Sequence, residues 1–196
     1  MPTDFRHTRF LKSAAELTDL PPNAGREVAF AGRSNAGKSS ALNAITGVNG
    51  LARVSKTPGR TQLINLFVLD DERRLIDLPG YGYAKVPAAV REQWGRLMED
   101  YFQYRQVLAG LVLVMDIRHP LTEFDQRMLA WCEPLGLPVL VLLTKADKLT
   151  RNHANQARQA VSRQLAELPV QVEVFSAVSG QGVEAAREVI DRWLTA

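Results

Sequence analysis

One short segment constrains the fold more than any other: residues 32–39 read Gly-Arg-Ser-Asn-Ala-Gly-Lys-Ser. They match the pattern G-x-x-x-x-G-K-[ST], with an apolar run at 27–31 before them and a helical stretch at 38–45 after them. Glycines at both ends let the backbone wrap tightly, so that successive N–H groups and the helix N-terminus face phosphate oxygens. The segment therefore predicts a phosphate loop, and its context disfavours a plain glycine turn with a surface lysine.

The rest of the chain alternates short apolar runs with helical stretches. The predicted strands lie at 27–31, 64–69, 74–77, 111–116, 139–144 and 170–175, and the predicted helices at 38–45, 88–104, 123–135, 154–168 and 183–194. The runs 111–115 and 139–143 are apolar on both faces, as strands covered by helices on both sides must be. This order predicts an α/β domain with a mostly parallel six-stranded sheet and helices on both faces.

Two features modify that plan. Only three residues, 70–72, separate segments 61–69 and 73–77, which contain the predicted strands 64–69 and 74–77. These two strands should therefore pair as a hairpin that gives the sheet one antiparallel edge. Residues 9–14 are a further strand candidate. We expect residues 1–26 to form a short N-terminal extension packed on the domain of residues 27–196.

Composition narrows the class of protein. Of the 196 residues 46% are hydrophobic and 23% charged, a mix typical of globular proteins, and no apolar run is long enough to cross a bilayer. The N-terminus is charged and lacks an apolar signal region, so we expect a cytoplasmic protein with no membrane partner. The single cysteine, Cys132, excludes an internal disulfide and the cysteine clusters of zinc sites. A net charge of +3 permits nucleic acid as a partner without showing it.

The phosphate loop implies a nucleotide with Mg²⁺. Lys38 would neutralise the β- and γ-phosphates, and the hydroxyl of Ser39 is a natural Mg²⁺ ligand. Asp77 ends a predicted strand, where its carboxylate could hold a water of the Mg²⁺ shell, and Gly80 could offer its N–H to the γ-phosphate. The contacts expected here are Gly32, Arg33, Ser34, Asn35, Ala36, Gly37, Lys38, Ser39, Asp77, Leu78, Pro79 and Gly80.

A later motif selects the base. Asp147, in Thr144-Lys145-Ala146-Asp147, is an acceptor-only carboxylate suited to the N1–H and N2–H₂ donors that guanine has and adenine lacks. Facing adenine it would be left unpaired, which is the source of discrimination. The alternative is a solvated helix start that Asp147 caps. Further contacts with the base or its loop are expected from Thr144, Lys145, Ala146, Phe175, Ser176 and Ala177.

The segment between the first helix and the hairpin carries a second metal ligand. Thr61 could complete the Mg²⁺ shell when this loop closes on the γ-phosphate, with Thr57 as a rival. Thr61 is preferred because it directly precedes a strand. The nucleotide contacts expected here are Gly59, Arg60, Thr61, Gln62 and Leu63.

With these motifs the chain resembles the EngB family of bacterial GTPases, also called the YihA/YsxC type, within the TRAFAC class. The residues that carry the resemblance are those at 32–40, 57–62, 77–84 and 144–148. It implies a Ras-like P-loop GTPase domain that binds GTP or GDP with Mg²⁺, assists assembly of the large (50S) ribosomal subunit and is needed for cell division and septation.

Departures from Ras-type switches bear on hydrolysis. Tyr81 follows Gly80 where a water-orienting glutamine would be expected, so we expect slow turnover. In similar GTPases an asparagine at the position of Asn35 helps to bind K⁺, which adds K⁺ as a candidate cofactor and makes Lys38 and Asn35 the candidate catalytic residues. The alternative is that Asn35 only provides a left-handed turn. Thr144, where many GTPases have asparagine, could still tie the base loop to the phosphate loop.

Basic residues are the candidates for a partner surface. Six of them lie in or near the two expected switch segments, 55–61 and 79–85, and on one face they would suit ribosomal RNA: Arg53, Lys56, Arg60, Lys85, Arg91 and Arg96. Scattered arginines are otherwise a solvated surface. Trp94 and Trp131 are expected to pack on helices. The sequence leaves two other functions open: a P-loop phosphotransferase, and a division regulator that acts without ribosomes. We expect a monomer.

Overall fold

The computed structural model describes residues 3–53, 63–80 and 86–196. Its strands are β1 (Arg9–Ala14), β2 (Arg26–Gly32), β3 (Ile64–Val68), β4 (Arg73–Asp77), β5 (Leu108–Asp116), β6 (Val139–Thr144) and β7 (Val170–Val174). Its α-helices are α1 (Lys38–Thr46), α2 (Ala88–Tyr104), α3 (Glu123–Cys132), α4 (Arg151–Gln164) and α5 (Val183–Thr195). None of the described helices is long and apolar enough to span a membrane.

The strands of the described chain form a single sheet in the order β1-β3-β4-β2-β5-β6-β7. The pairs β4–β2, β2–β5, β5–β6 and β6–β7 are parallel, whereas β3 runs antiparallel to both β4 and β1. The six predicted strands and the antiparallel hairpin are confirmed. The sheet has a seventh strand because residues 9–14 pair with β3, so that β1, and not the hairpin, is the edge on this side.

Helices cover both faces of the sheet, and the central strands divide their side chains between two cores. Leu111 and Leu113 of β5 pack with residues of α2, α3 and α4, whereas Val112 and Val114 pack with residues of α1 and α5. All four side chains have no exposed surface. Burial on both faces explains why this run reads as continuously apolar and not as an alternating strand.

Helix boundaries differ from the predictions for local reasons. Helix α4 begins three residues earlier than predicted, because the hydroxyl of Thr150 accepts a hydrogen bond from His153 N and caps the helix there. Helix α3 ends at Cys132, and a 3-10 turn that contains Pro134 follows it. Trp94 is buried in van der Waals range of Phe124 and Trp131, which confirms a packing role for both tryptophans.

The N-terminal residues are held to the sheet by a buried charge network. The carboxylate of Glu27 is fully buried and accepts hydrogen bonds from Arg74 at 2.8 Å and Arg105 at 2.5 Å. Arg105 also donates to the carbonyl of Pro21 at 2.7 Å, and Thr3 N donates to Asp191 at 2.8 Å. Residues 3–25 thus contact the rest of the chain through the sheet and these bonds, while the boundary at residue 26 stays a prediction.

Candidate nucleotide site

The phosphate-loop segment lies between β2 and α1, as its sequence context predicts. Residues 33–37 turn the chain from Gly32, the end of β2, to Lys38, the start of α1. Two residues of the turn have left-handed backbone, Asn35 with φ 64° and Gly37 with φ 92°. A Cβ at Gly32 would come within 3.1 Å of the carbonyl oxygen of Val114, so glycine relieves a tight approach to β5.

Lys38 joins this loop to the end of β4. Its ammonium donates to the carboxylate of Asp77 and, at 2.8 Å, to the carbonyl of Leu78. The pairing of β4 with β2 sets this position, because Asp77 lies opposite Phe30 and Leu78 N donates to the carbonyl of Phe30. The Lys38 and Asp77 side chains are 14% and 11% exposed, so their attraction is screened little by water.

Gly80 also lies against the phosphate loop. A Cβ placed on Gly80 would be 3.1 Å from the carbonyl of Gly32 and 3.8 Å from Ser34 N. The preceding residue, Pro79, is fixed from the other side, since its carbonyl accepts a hydrogen bond from the indole of Trp94 at 2.9 Å. The phosphate loop, 32–39, and the segment expected to bind metal and γ-phosphate, 77–80, are therefore neighbours.

The oxygen donors at this junction fit Mg²⁺. That ion is usually held by one or two protein oxygens together with substrate phosphates, not by an all-protein cage. The hydroxyl of Ser39 lies in the first turn of α1, partly exposed and 3.5 Å from the carbonyl of Arg53, and Asp77 supplies a carboxylate beside the loop. The proposed second ligand, Thr61, lies outside the described residues, as do Thr57, Gly59, Arg60 and Gln62, while Leu63 directly precedes β3.

Thr144, at the end of β6, begins the base loop (residues 144–147) and ties that loop to the phosphate loop. Its hydroxyl lies 2.5 Å from the carbonyl of Ala36 and 3.0 Å from that of Met115. A hydroxyl has a single proton, so it can donate to only one of these carbonyls at a time. The expected link between the two loops is present, with one hydrogen bond where an amide could make two.

Lys145 extends this link. Its backbone is left-handed, with φ 60°, and its ammonium donates to the carbonyl of Asn35 at 2.6 Å and lies 3.1 Å from Asp116. The next residue, Ala146, donates its N–H to the carbonyl of Phe175 at 3.1 Å. The base loop is therefore fixed both to the phosphate loop and to the end of β7.

Asp147 is oriented by Ser176. The buried hydroxyl of Ser176 donates to Asp147 Oδ1 at 2.7 Å, and Ser176 Oγ accepts from Ser179 N at 3.2 Å. This hydrogen bond keeps the pKa of Asp147 below its ordinary value, so the carboxylate stays ionised and remains an acceptor. Thr150, and not Asp147, caps helix α4, which disfavours the capping interpretation of Asp147. Ala177 is exposed next to this pair.

Asp116 is a site residue that sequence reasoning missed. It ends β5, and its carboxylate accepts from Arg118 Nε at 2.9 Å, Arg118 Nη2 at 2.7 Å and Arg118 N at 3.0 Å, besides its contact with Lys145. The hydrogen bonds from Arg118, then those from Lys145, hold the pKa of Asp116 well below its ordinary value. Its position at the end of a predicted parallel strand could have identified it, because ligands bind at the carboxyl ends of such strands.

Comparison with known proteins identifies the family. A family model described as a 50S ribosome-binding GTPase matches residues 27–145. The chain is 56% identical over 192 residues to a probable GTP-binding protein EngB from Nitrosococcus oceani, covering 97% of this chain and 96% of the relative. The chain belongs to the EngB family. A second probable EngB protein, from Methylobacillus flagellatus, is 56% identical over 194 residues, or 98% of this chain and 94% of the relative.

The EngB fold is also seen in solved structures. The crystal structure of a probable GTP-binding protein engB superposes with a TM-score of 0.69 at 24% identity, covering 86% of this chain and 98% of that one. The predicted Ras-like P-loop GTPase fold is confirmed. Membership of the EngB family makes the chain a GTP-binding protein and a GTPase, and so replaces the phosphotransferase alternative.

Proposed function

We propose that this EngB-family chain is a GTP-dependent switch that assists assembly of the large ribosomal subunit and is thereby needed for normal cell division and septation. The observation that carries the proposal is the match of residues 27–145 to a family described as 50S ribosome-binding GTPases. The action on ribosomes, the location in the cytoplasm and the monomeric state are parts of this proposal. A division regulator that acts without ribosomes is the alternative.

In the proposed site the phosphates lie over residues 32–39 and guanine lies against Asp147. Asp147 would accept from the N1–H and N2–H₂ of guanine, and the methylene stem of Lys145 would lie across the base. Ala177, beside the buried Ser176, would offer a backbone N–H to the guanine O6. The support is that hydrogen bonds connect these loops at the carboxyl ends of β2, β6 and β7.

Mg²⁺ would be held by Ser39 and Thr61 directly and by Asp77 through water. When bound, the ion would neutralise part of the phosphate charge that develops during hydrolysis. Lys38 would donate to the β- and γ-phosphates, so it must exchange its present acceptors, Asp77 and the carbonyl of Leu78, for phosphate oxygens. That exchange would free Asp77 to turn toward the metal and would link nucleotide binding to residues 77–80, which lead into the second switch segment, 79–85.

Slow turnover and K⁺ dependence are the finer parts of the proposed chemistry. Tyr81 stands where Ras-type switches have a glutamine, and a phenol cannot orient water in the same way. K⁺ held with the help of Asn35 would supply positive charge beside that of Lys38. The left-handed backbone of Asn35 equally suits the conformational alternative. Equal single-turnover rates in KCl and NaCl at the same ionic strength would remove K⁺ from the proposal.

A basic surface beside the switches is the proposed contact for ribosomal RNA. Within the described residues Arg53 and Arg91 are exposed, and Arg96 is exposed but paired with Glu92 at 2.6 Å. Lys56, Arg60 and Lys85 lie outside the described residues. In the GTP state, segments 55–61 and 79–85 would order this surface, and hydrolysis would then lower its affinity for the particle and release the protein.

Sedimentation of cell lysates tests the proposal. Lysates supplemented with a non-hydrolysable GTP analogue are separated on a sucrose gradient, with GDP and an ATP analogue in parallel. We expect the protein in large-subunit fractions with the GTP analogue only. An Arg91→Glu protein should lose this co-sedimentation while its GTP affinity is unchanged, and Arg158→Glu, on the exposed face of α4, is the matched control. Absence of the wild-type protein from those fractions would favour the regulator alternative.

A further inference from the structure

A charged cluster at the end of β5 connects three parts of the site. The carboxylate of Asp116 pairs with the ammonium of Lys145 in the base loop and accepts hydrogen bonds from Arg118, two residues further along the chain. The ammonium of Lys145 also donates to the carbonyl of Asn35 in the phosphate loop. The Asp116 side chain is 15% exposed and that of Lys145 is 32% exposed. The cluster is thus a chain of contacts from β5 through the base loop to the phosphate loop.

The geometry of Lys145 needs such support. A lysine side chain has four rotatable bonds, and fixing it costs rotamer entropy. Its backbone is also in the left-handed region, which a residue other than glycine seldom occupies. Two acceptors, Asp116 Oδ2 at 3.1 Å and the carbonyl of Asn35 at 2.6 Å, hold the ammonium in one place. One of these acceptors carries a full charge.

We propose that Asp116 is a positioning residue for nucleotide binding, which acts by holding Lys145 in the orientation that covers the guanine base. Asp116 contacts no nucleotide itself. Because its charge fixes Lys145 before the nucleotide arrives, less entropy is lost on binding and the bound nucleotide leaves more slowly. Arg118 donates to the same carboxylate and helps to align it. The inference rests on the proposed placement of guanine against Lys145 and Asp147.

The test measures how fast a fluorescent GDP analogue dissociates when displaced by excess GDP. Replacing the charged acceptor in Asp116→Asn should speed dissociation by about 5- to 10-fold, the effect of weakening one partly exposed charge-assisted hydrogen bond. Asp116→Glu keeps the charge and should stay within about 2-fold of wild type. Asp70→Asn is the matched control, because it weakens a partly exposed carboxylate–arginine pair (with Arg73) outside the nucleotide site, and it should also stay within about 2-fold.

The double variant separates positioning from a general structural role. In a Lys145→Met background the Asp116→Asn change should add less than about 2-fold, because the residue through which it acts is gone. Hydrolysis of preloaded GTP in a single turnover should change by less than about 2-fold in Asp116→Asn, because the phosphate contacts are intact. An equal effect of Asp116→Asn in both backgrounds, or no effect in the wild-type background, would overturn the inference.

Two further results separate this inference from the placement of guanine. If Lys145→Ala, which removes the methylene stem, dissociates GDP at the wild-type rate, the proposed placement of the base is wrong. If Lys145→Ala is fast and Asp116→Asn is not, the placement stands and only the role of Asp116 is refuted. NMR of the wild-type protein needs no folded variant: the two Hε protons of Lys145 should have distinct chemical shifts because two acceptors hold the ammonium group, and averaged shifts would refute the positioning.

Discussion

Thr144→Val is the change that most directly probes how the two nucleotide loops are joined. Valine keeps the shape of threonine but removes the hydroxyl that lies 2.5 Å from the carbonyl of Ala36 and 3.0 Å from that of Met115. Because Thr144 is only 3% exposed, water cannot replace the lost donor. The loss of one net hydrogen bond and the burial of an unpaired carbonyl should lower the free energy of unfolding by about 1–3 kcal/mol.

Part of this effect should appear in nucleotide binding. Without its tie to β6, the phosphate loop at Ala36 must be ordered when the nucleotide binds, so we expect GDP affinity to fall by about 3- to 10-fold. Urea unfolding gives the stability, and fluorescence titration with a GDP analogue gives the affinity. Thr150→Val is the matched control: it removes the cap of α4, should cost about 1 kcal/mol of stability and should leave GDP affinity unchanged. Wild-type stability and affinity in Thr144→Val would refute the structural role of the hydroxyl.

Three other predictions concern the scaffold. Glu27→Gln leaves two buried arginines without this charged partner and should lower the free energy of unfolding, measured in urea, by about 3–5 kcal/mol. The control Glu92→Gln, in an exposed pair, should change it by less than about 0.5 kcal/mol. Similar losses for both variants would contradict the stabilising role of the buried network. Gly110→Ala should lower the free energy of unfolding by about 1–3 kcal/mol because its Cβ would lie 2.3 Å from Trp193. Gly95→Ala, in an open part of helix α2, should raise it by about 0.5–1 kcal/mol. Urea unfolding measures both changes. Burial raises the pKa of the Cys132 thiol to about 12, so the folded protein should not react with a thiol reagent at pH 8, and rapid labelling without unfolding would show that the thiol is accessible.

The order of elements was predictable because its signals are local. The continuous apolar runs of β5 and β6 mark strands buried on both faces, and the glycine pattern at 32–39 marks the turn from strand to helix. The short connection at 70–72 fixed the hairpin for the same reason. Each of these features depends on residues close together in the chain.

The edge of the sheet was harder to predict because β1 gives a weak signal. Five of its six residues are exposed, and its two large apolar side chains, Phe10 and Leu11, are 53% and 42% exposed. A bulge between Phe10 and Lys12 interrupts its register with β3. Pairing with residues 50 to 59 positions away in the sequence, and not local pattern, places this strand on the sheet.

The parts of the site that escaped prediction are contacts between distant loops. In the sequence Asp116 is an ordinary residue at the end of a predicted strand. Its contact with the ammonium of Lys145, a residue with left-handed backbone, exists only in the folded chain. The pair between Lys38 and Asp77 joins two motifs that sequence reasoning assigned to different ligands, phosphate and metal. Such contacts depend on the order of strands in the sheet, which the spacing of motifs does not fix.

The most direct test of the account is a change of base specificity at Asp147. Asparagine would present an amide N–H₂ in place of one carboxylate oxygen, which matches xanthine, whose C2 carbonyl replaces the N2–H₂ of guanine. We expect Asp147→Asn to bind GDP at least about 100-fold more weakly than wild type and to bind xanthosine diphosphate more tightly than GDP. Unchanged preference for GDP over xanthosine diphosphate in this variant would contradict guanine recognition by Asp147.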